Sequence, residues 1–304
     1  MRKKTLGQAL VEEMASENRR VVADWRALLL LRRATLHLPA EQRRWEKSPA
    51  NLEETRSILR RLVKRGEFQH PEKGLAFLYE ARAPYARTGV VSEDELLMEI
   101  HPYAALSHIT ALVFHGMTDE LPKEFHVVLP SGGSGGILPP GTRTEDGEDG
   151  ESAYGRTVDE LFGKPVRWHW LSRGSSLFGT AEYRPRGYPV RVTTPERTLL
   201  DGLLHPDWCG GVGKLLRAWV QVRDTLDLEA LVELVEQFDV GLLRQRVGFI
   251  LDELGLEHPR VAQWPAQARR GGSSKLVGSA PFASSYSEKW KLSINAPVDV
   301  LRES

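Results

Sequence analysis

The stretch Tyr188–Asp201, YPVRVTTPERTLLD, decides how the rest of the chain is read. Tyr188, Val190 and Val192 alternate with Pro189, Arg191 and Thr193, the period of a half-buried strand. Thr194 stands at a helix N-cap and Pro195 at the first helical position. Glu196 falls in the first turn, where the helix dipole favours a carboxylate. Leu199, Leu200 and Leu203 supply an apolar stripe, and Arg197 and Asp201 are spaced to pair on one face. A strand therefore runs into a capped helix. Cap, dipole partner and ion pair account for the four polar residues without any function.

The 304 residues are comfortable for two domains, and the apolar and charged fractions are those of an ordinary globular protein. No apolar run approaches the length of a membrane span, and the basic start MRKK has no apolar core after it. A single cysteine, Cys209, forms no intrachain disulfide and no cysteine-based metal cluster. A cytoplasmic protein is expected. Net charge is zero but unevenly spread: residues 1–90 hold 19 Lys and Arg against 11 Asp and Glu, and the remainder holds 22 against 30. A positive N-terminal part is the footprint of nucleic-acid binding.

Around Tyr188–Asp201 the chain falls into segments of different period. Leu6, Ala9, Leu10 and Met14 have helical spacing, and Val21, Val22, Trp25, Leu28 and Leu29 continue it in a second helix. Asn51 opens a third, with Glu54 as capping-box partner, Leu52, Leu59, Leu62 and Val63 inward, and Gly66 closing it. Arg56, Arg60 and Lys64 share an exposed face of this helix, with Ser57 and Arg61 beside them. Two short runs, 67–70 and 75–79, flank the turn Pro71–Gly74 and make a hairpin carrying His70 and Lys73. Helices, a basic helix and a hairpin form the order of a winged helix-turn-helix over residues 1–88. Arg56, Ser57, Arg60, Arg61, Lys64, His70 and Lys73 are its expected DNA contacts. Glu53 and Glu54, in the first turn of the basic helix, oppose phosphate.

Beyond a connector at 83–89, residues 89–304 read as a mixed α/β domain. Leu106–Met117 is a helix ending at Gly116, Phe125–Leu129 a strand, and Val166–Leu171 and Leu177–Tyr183 two more. The glycines of Ser131–Ser152 lack the Gly-Lys-Ser/Thr ending of a phosphate loop, and the segment reads as a mobile acidic loop. His101, His108 and His115 are spaced by seven. Two helical turns separate neighbours by about 10.5 Å, too far to share an ion, so neither a metal nor a cofactor is expected. Helices at 215–222, 228–238 and 242–254 precede a last strand in which Trp290, Leu292 and Ile294 alternate with polar residues.

TTPERTLLD resembles the signature of the AbiE-type antitoxins, the regulatory halves of type IV toxin–antitoxin pairs. Ser107, Ala111, Leu112, His115 and Gly116 resemble a second segment of that family, and RQRVGFILDELGL and the late Trp strand ending in Asn resemble two more. The similarity covers most of residues 50–295. The first 50 residues depart from the family, as does the wing, where Phe77, Leu78 and Tyr79 replace the usual Gly-Val-Tyr ending. The resemblance implies an N-terminal winged helix and a C-terminal α/β antitoxin domain. It also implies repression of the protein's own operon through operator DNA, with room for a homodimer there. A nucleotidyltransferase-like toxin is countered without a stable complex. Thr194, Glu196, Arg197 and Asp201 become the expected antitoxin surface. Two rival readings remain: a DNA-binding regulator whose second domain senses a ligand, and a nuclease. Glu196 and Asp201 stand roughly 500° apart around a helix and point in different directions, and Ser107 with His108 fall on different faces, so no catalytic site is expected.

Overall fold

The computed structural model describes residues 3–82, 90–131, 137–142, 155–171, 177–267 and 274–302. The connector at 83–89 and most of the acidic loop, 132–136 and 143–154, lie outside the described residues. The chain is mixed α/β, with helices and sheets of both strand orientations. Its contacts divide it into two compact units. The first takes residues 1–104, 132–163 and 182–191, and the second takes 105–131, 164–181 and 192–304. The division is thus not a single cut near residue 88.

The first unit opens with α1 (Leu6–Ser16), β1 (Val21–Ala23), α2 (Asp24–His37) and α3 (Leu52–Lys64). The strands β2 (Phe68–Gln69) and β3 (Leu78–Ala81) follow, then α4 (Glu93–Ile100). Thr5 caps α1 with a capping box through Gln8. Val21 and Val22, expected to be helical, instead form a strand; their branched side chains suit the pleat, and all three residues of β1 are buried. The sheet is antiparallel in the order β1-β3-β2, with Val22 opposite Tyr79 and Phe68 opposite Ala81. Leu10, Met14, Leu30, Leu31, Leu59 and Phe68 fill the core beneath it.

β1 is an edge strand, and α4 supplies what its free N–H groups need. Glu95 Oε1 accepts from the N–H of Arg20 at 2.8 Å and of Val21 at 3.3 Å. Glu99 Oε2 accepts from Ala23 N–H at 2.9 Å, while Oε1 takes Arg19 at 2.8 Å and Arg26 at 3.1 Å. Two buried arginines and a sheet edge are therefore served by one fully buried carboxylate. The short strand β6 (Glu160–Leu161) also falls in this unit.

The second unit begins with β4 (Ala105–Leu106), α5 (His108–Phe114) and β5 (Phe125–Pro130). It continues through β7 (Lys164–Leu171), the first half of β8 (Thr180–Tyr183), the second half of β9 (Val190–Thr193) and α6 (Pro195–Leu204). The helices α7 (Val212–Val222), α8 (Leu228–Phe238), α9 (Gly241–Leu254) and α10 (Trp264–Gln267) precede β10 (Tyr286–Ser287) and β11 (Leu292–Ser293). The main sheet carries the order β7-β5-β4-β9-β8. β5 runs parallel to β7 and antiparallel to β4, and β4 runs parallel to β9. β9 was expected to bury one face only. It is an inner strand and all four residues are buried, Arg191 and Thr193 included.

Leu199, Leu200, Leu203, Trp219, Val235 and Ile250 lead the large core of α6–α9. Trp290, Leu292 and Ile294 are buried as their alternation predicts. The Trp290 ring lies against Gly248 of α9, and its Nε1 donates to Asp252 at 2.7 Å. Among the described residues no helix is long and apolar enough to cross a membrane.

Candidate nucleic-acid face and a histidine cluster

α3 is built as its sequence predicts at both ends. Asn51 Oδ1 accepts from Glu54 N–H at 3.0 Å, and Glu54 Oε2 accepts from Ala50 N–H at 2.9 Å. Gly66 closes the helix with φ of 73°. Leu59 and Leu62 are buried, whereas Ser57, Arg60, Arg61 and Lys64 are exposed. Arg65 and, at the hairpin tip, Lys73 are exposed as well.

Two expected contacts have other work. Arg56 donates from Nε to Asp24 Oδ2 at 2.7 Å, and Arg156 grips the same buried carboxylate with both terminal nitrogens at 3.1 and 2.9 Å. A carboxylate removed from water needs these partners, so Arg56 is tied to α2 instead of standing free on the polar face. Hydrogen bonds from both arginines outweigh burial and hold the Asp24 carboxyl below its ordinary value. His70 donates from Nδ1 to Leu78 O at 2.8 Å and rests on Tyr79, clamping the hairpin. Arg60 meets Glu53 at 3.0 Å, but both are well exposed, and such a pair is worth about 1 kcal/mol or less. The acidic first turn is thereby matched to a cation of its own helix. Arg60, Arg61, Lys64, Arg65 and Lys73 remain as solvent-facing cations.

The helix after Tyr188–Thr193 corrects the other expectation. Thr194 Oγ1 does accept from Arg197 N–H at 3.2 Å, and Arg197 does pair with Asp201. Neither is at the surface. Arg197 is 1% exposed, Asp201 5% and Glu196 8%. The Arg197 guanidinium donates to Phe178 O at 2.7 Å and lies over the rings of Phe178 and Phe238, both under 5 Å from their centres. Glu196 accepts from the N–H of Asp227, the N-cap of α8. Glu196, Arg197 and Asp201 bind α6 to its neighbours from buried positions, with Thr194 half-buried at the cap, so they do not form the exposed face the sequence predicts.

The sequence reading missed a third constellation. β5 places His126 and β7 places His169 on the same face of adjacent parallel strands. His126 Nδ1 lies 2.9 Å from His169 Nε2. His108, the first residue of α5, inserts its ring beside both, 5.7 and 5.0 Å away between ring centres. One nitrogen from each of the three lies within 4.8 Å of the others. Trp208 stacks on His169 at 4.1 Å and on His205 at 3.9 Å.

Two of the imidazoles are held from behind. His126 Nε2 donates to Glu124 Oε1 at 3.0 Å, and Glu124 is in turn held by Arg167 at 2.8 Å. His108 Nδ1 lies 2.9 Å from Ser107 Oγ. Ser107 and His108 thus touch, contrary to expectation, because Ser107 precedes the helix as its N-cap; the serine is fully buried. Burial, reinforced by neighbouring imidazoles, pushes His108 well below its ordinary value and His169 down to about 4; burial also lowers His126. His115 stays apart, bonded to Thr193 O at 2.7 Å. A pocket of about 630 Å³ opens at this cluster, lined by Ile109, Lys123, Glu124, His126, Trp208 and Lys214 among others.

No family model matches the chain, and no curated protein matches it. Among solved structures the chain is similar to the RV2827C protein from Mycobacterium tuberculosis. The two are 16% identical, with a TM-score of 0.53 over 97% of this chain and 93% of that one. At this identity the likeness is one of fold.

Proposed function

We propose that the chain is a DNA-binding regulator of its own operon and the antitoxin of a type IV pair, acting in the cytoplasm. The observation that carries the DNA-binding half is the solvent-facing run Arg60, Arg61, Lys64 and Arg65 on a capped helix, with Lys73 at the tip of the adjoining hairpin. The order α1-β1-α2-α3-β2-β3, with its three-stranded antiparallel sheet, supports reading this part as a winged helix whose third helix enters a groove. The antitoxin half rests on the resemblance of four segments to the AbiE family. Its partner is a nucleotidyltransferase-like toxin countered without a stable complex. With Arg197 and Asp201 buried, the neutralising surface lies elsewhere than Thr194–Asp201.

The test is anisotropy on a fragment spanning the protein's own promoter. Wild type should bind with strong salt dependence, and Arg60→Ala/Arg61→Ala/Lys64→Ala should not, with an unchanged melting curve. Equal binding by the folded triple variant would remove α3 from the interface. Growth rescue on co-expression with the neighbouring toxin gene tests the second half. A regulator whose second unit senses a ligand is a second reading, favoured by the histidine cluster and its pocket.

A further inference from the structure

The clustered imidazoles invite two descriptions. In one, His126 and His169 share a hydrogen bond inside an aromatic stack with Trp208. In the other, the nitrogens converge on a cation. Three observations favour the second. The convergent atoms come from three separate elements, α5, β5 and β7, yet all lie within 4.8 Å. The rear nitrogen of His126 is engaged by a carboxylate and that of His108 by a hydroxyl, the outer-sphere pattern that turns the remaining nitrogen towards a metal. Finally, His108 occupies a left-handed backbone conformation, φ 50°, which strains a side-chain-bearing residue and is retained where the surroundings demand it. That conformation brings its ring to the other two.

We propose that His108, His126 and His169 form a binding site for a divalent first-row transition ion of the zinc class. Three imidazoles and no thiolate or oxygen cage select zinc, cobalt, nickel or copper over magnesium or calcium. A tetrahedral zinc ion with bonds of about 2.0 Å holds its nitrogens about 3.3 Å apart. The ion therefore parts the close His126–His169 pair slightly and draws His108 in. Three protein ligands leave a fourth position for water or a small ligand, and one of the three, His126, also lines the neighbouring pocket. Glu124, fixed by Arg167, is a positioning residue for His126. The inference is independent of DNA binding by α3.

The full-length protein, stripped with EDTA and dialysed, is titrated with Co2+ and followed by visible absorption. One Co2+ per chain with ligand-field bands displaced by Zn2+ is the expected result. His126→Ala and His169→Ala should lose the bands while keeping wild-type circular dichroism. Glu124→Gln leaves the imidazole cluster in place and should weaken the ion about 10- to 100-fold; it serves where the alanine variants fail to fold. Absence of saturable bands in wild type would leave a hydrogen-bonded imidazole pair and overturn the site. So would bands of unchanged affinity in folded His126→Ala, or in Glu124→Gln. Promoter binding measured on the same samples separates this outcome from that of the DNA-binding reading.

Discussion

Arg197 donates from Nε to Asp201 Oδ1 at 2.8 Å, one helical turn along, and both side chains are closed off from water. Burial pushes the Asp201 carboxyl up against the pull of the guanidinium. Removing one partner of such a pair strands the other charge, at about 3–5 kcal/mol. Arg197→Ala should therefore lower the urea midpoint sharply, where a surface position would shift stability by about 0.5 kcal/mol or less. A midpoint equal to wild type would return Arg197 to the surface. Any loss of toxin rescue in this variant reports folding first.

Gly248 sits inside α9 beneath the Trp290 ring. Glycine to alanine in a helix ordinarily gains up to about 1 kcal/mol. Here the added methyl would fall inside the indole, which cannot retreat because its Nε1 is held by Asp252. Overpacking costs about 1–3 kcal/mol, so the clash wins and Gly248→Ala should melt earlier than wild type. In a Trp290→Ala background the same change should become neutral or stabilising, a sign reversal visible in a double-mutant cycle.

Glu95 accepts two backbone N–H groups at Oε1, while its Oε2 is buried without a partner. Burial raises its carboxyl to about 7 from an ordinary 4.5, against the opposing backbone bonds. The unfolded chain sheds this proton near 4.5 and the folded chain near 7. The group's contribution is therefore fully present below pH 4.5 and lost as pH climbs to 7. Glu95→Gln keeps the acceptor and never ionises. It should come close to wild type at pH 4.5 and exceed it by roughly 3 kcal/mol at pH 8, measured by urea unfolding. Equal stability at both pH values would show the carboxyl ionises normally.

Arg56 and Arg61 carry the same charge and should behave oppositely. Arg61→Ala should leave stability unchanged and reduce the salt dependence of promoter binding by about one contact's worth, near 0.9 in the log–log slope. Arg56→Ala leaves Asp24 with Arg156 as its one cation, beside the Trp25 N–H, so it should lower stability by about 1–3 kcal/mol. Thermal melts beside the salt titration distinguish the two.

Long periodic segments were readable from the sequence: α8 spans Leu228–Phe238 as its leucines and valines predict, and the caps of α3 and α6 fall on Asn51 and Thr194. The two-residue strands β2 and β11 were readable from the hairpin turn and the Trp290/Leu292/Ile294 alternation around them, but Val21–Ala23 and Ala105–Leu106 were not, being too short to show a period and lacking such flanks. α4 went unread, its Glu95 and Glu99 resembling a solvated face although both are buried. The spacing of Arg197 and Asp201 gave their pairing but not their burial, which comes from Phe178 and Phe238, far along the chain. The histidine cluster escaped for the same reason. His101, His108 and His115 lie along one segment, whereas the convergent residues come from three. A histidine second in FHVVL and another within VRWHWL were the available signals, usable only once the two strands are paired.

The chain passes between its two compact units five times. Glu99, on which Arg19, Arg26 and the N–H of Ala23 depend, lies downstream of the expected boundary near residue 88. A fragment ending there would carry the Arg26 guanidinium stripped of its counter-ion, Arg19 left with Glu17 alone, and a sheet edge left open. One beginning at residue 91 would hold α4 with nothing to cap. Deletion genetics is therefore the wrong instrument for this protein. Truncations that abolish repression and rescue together would report broken folding, and only point substitutions on the intact chain can apportion its activities.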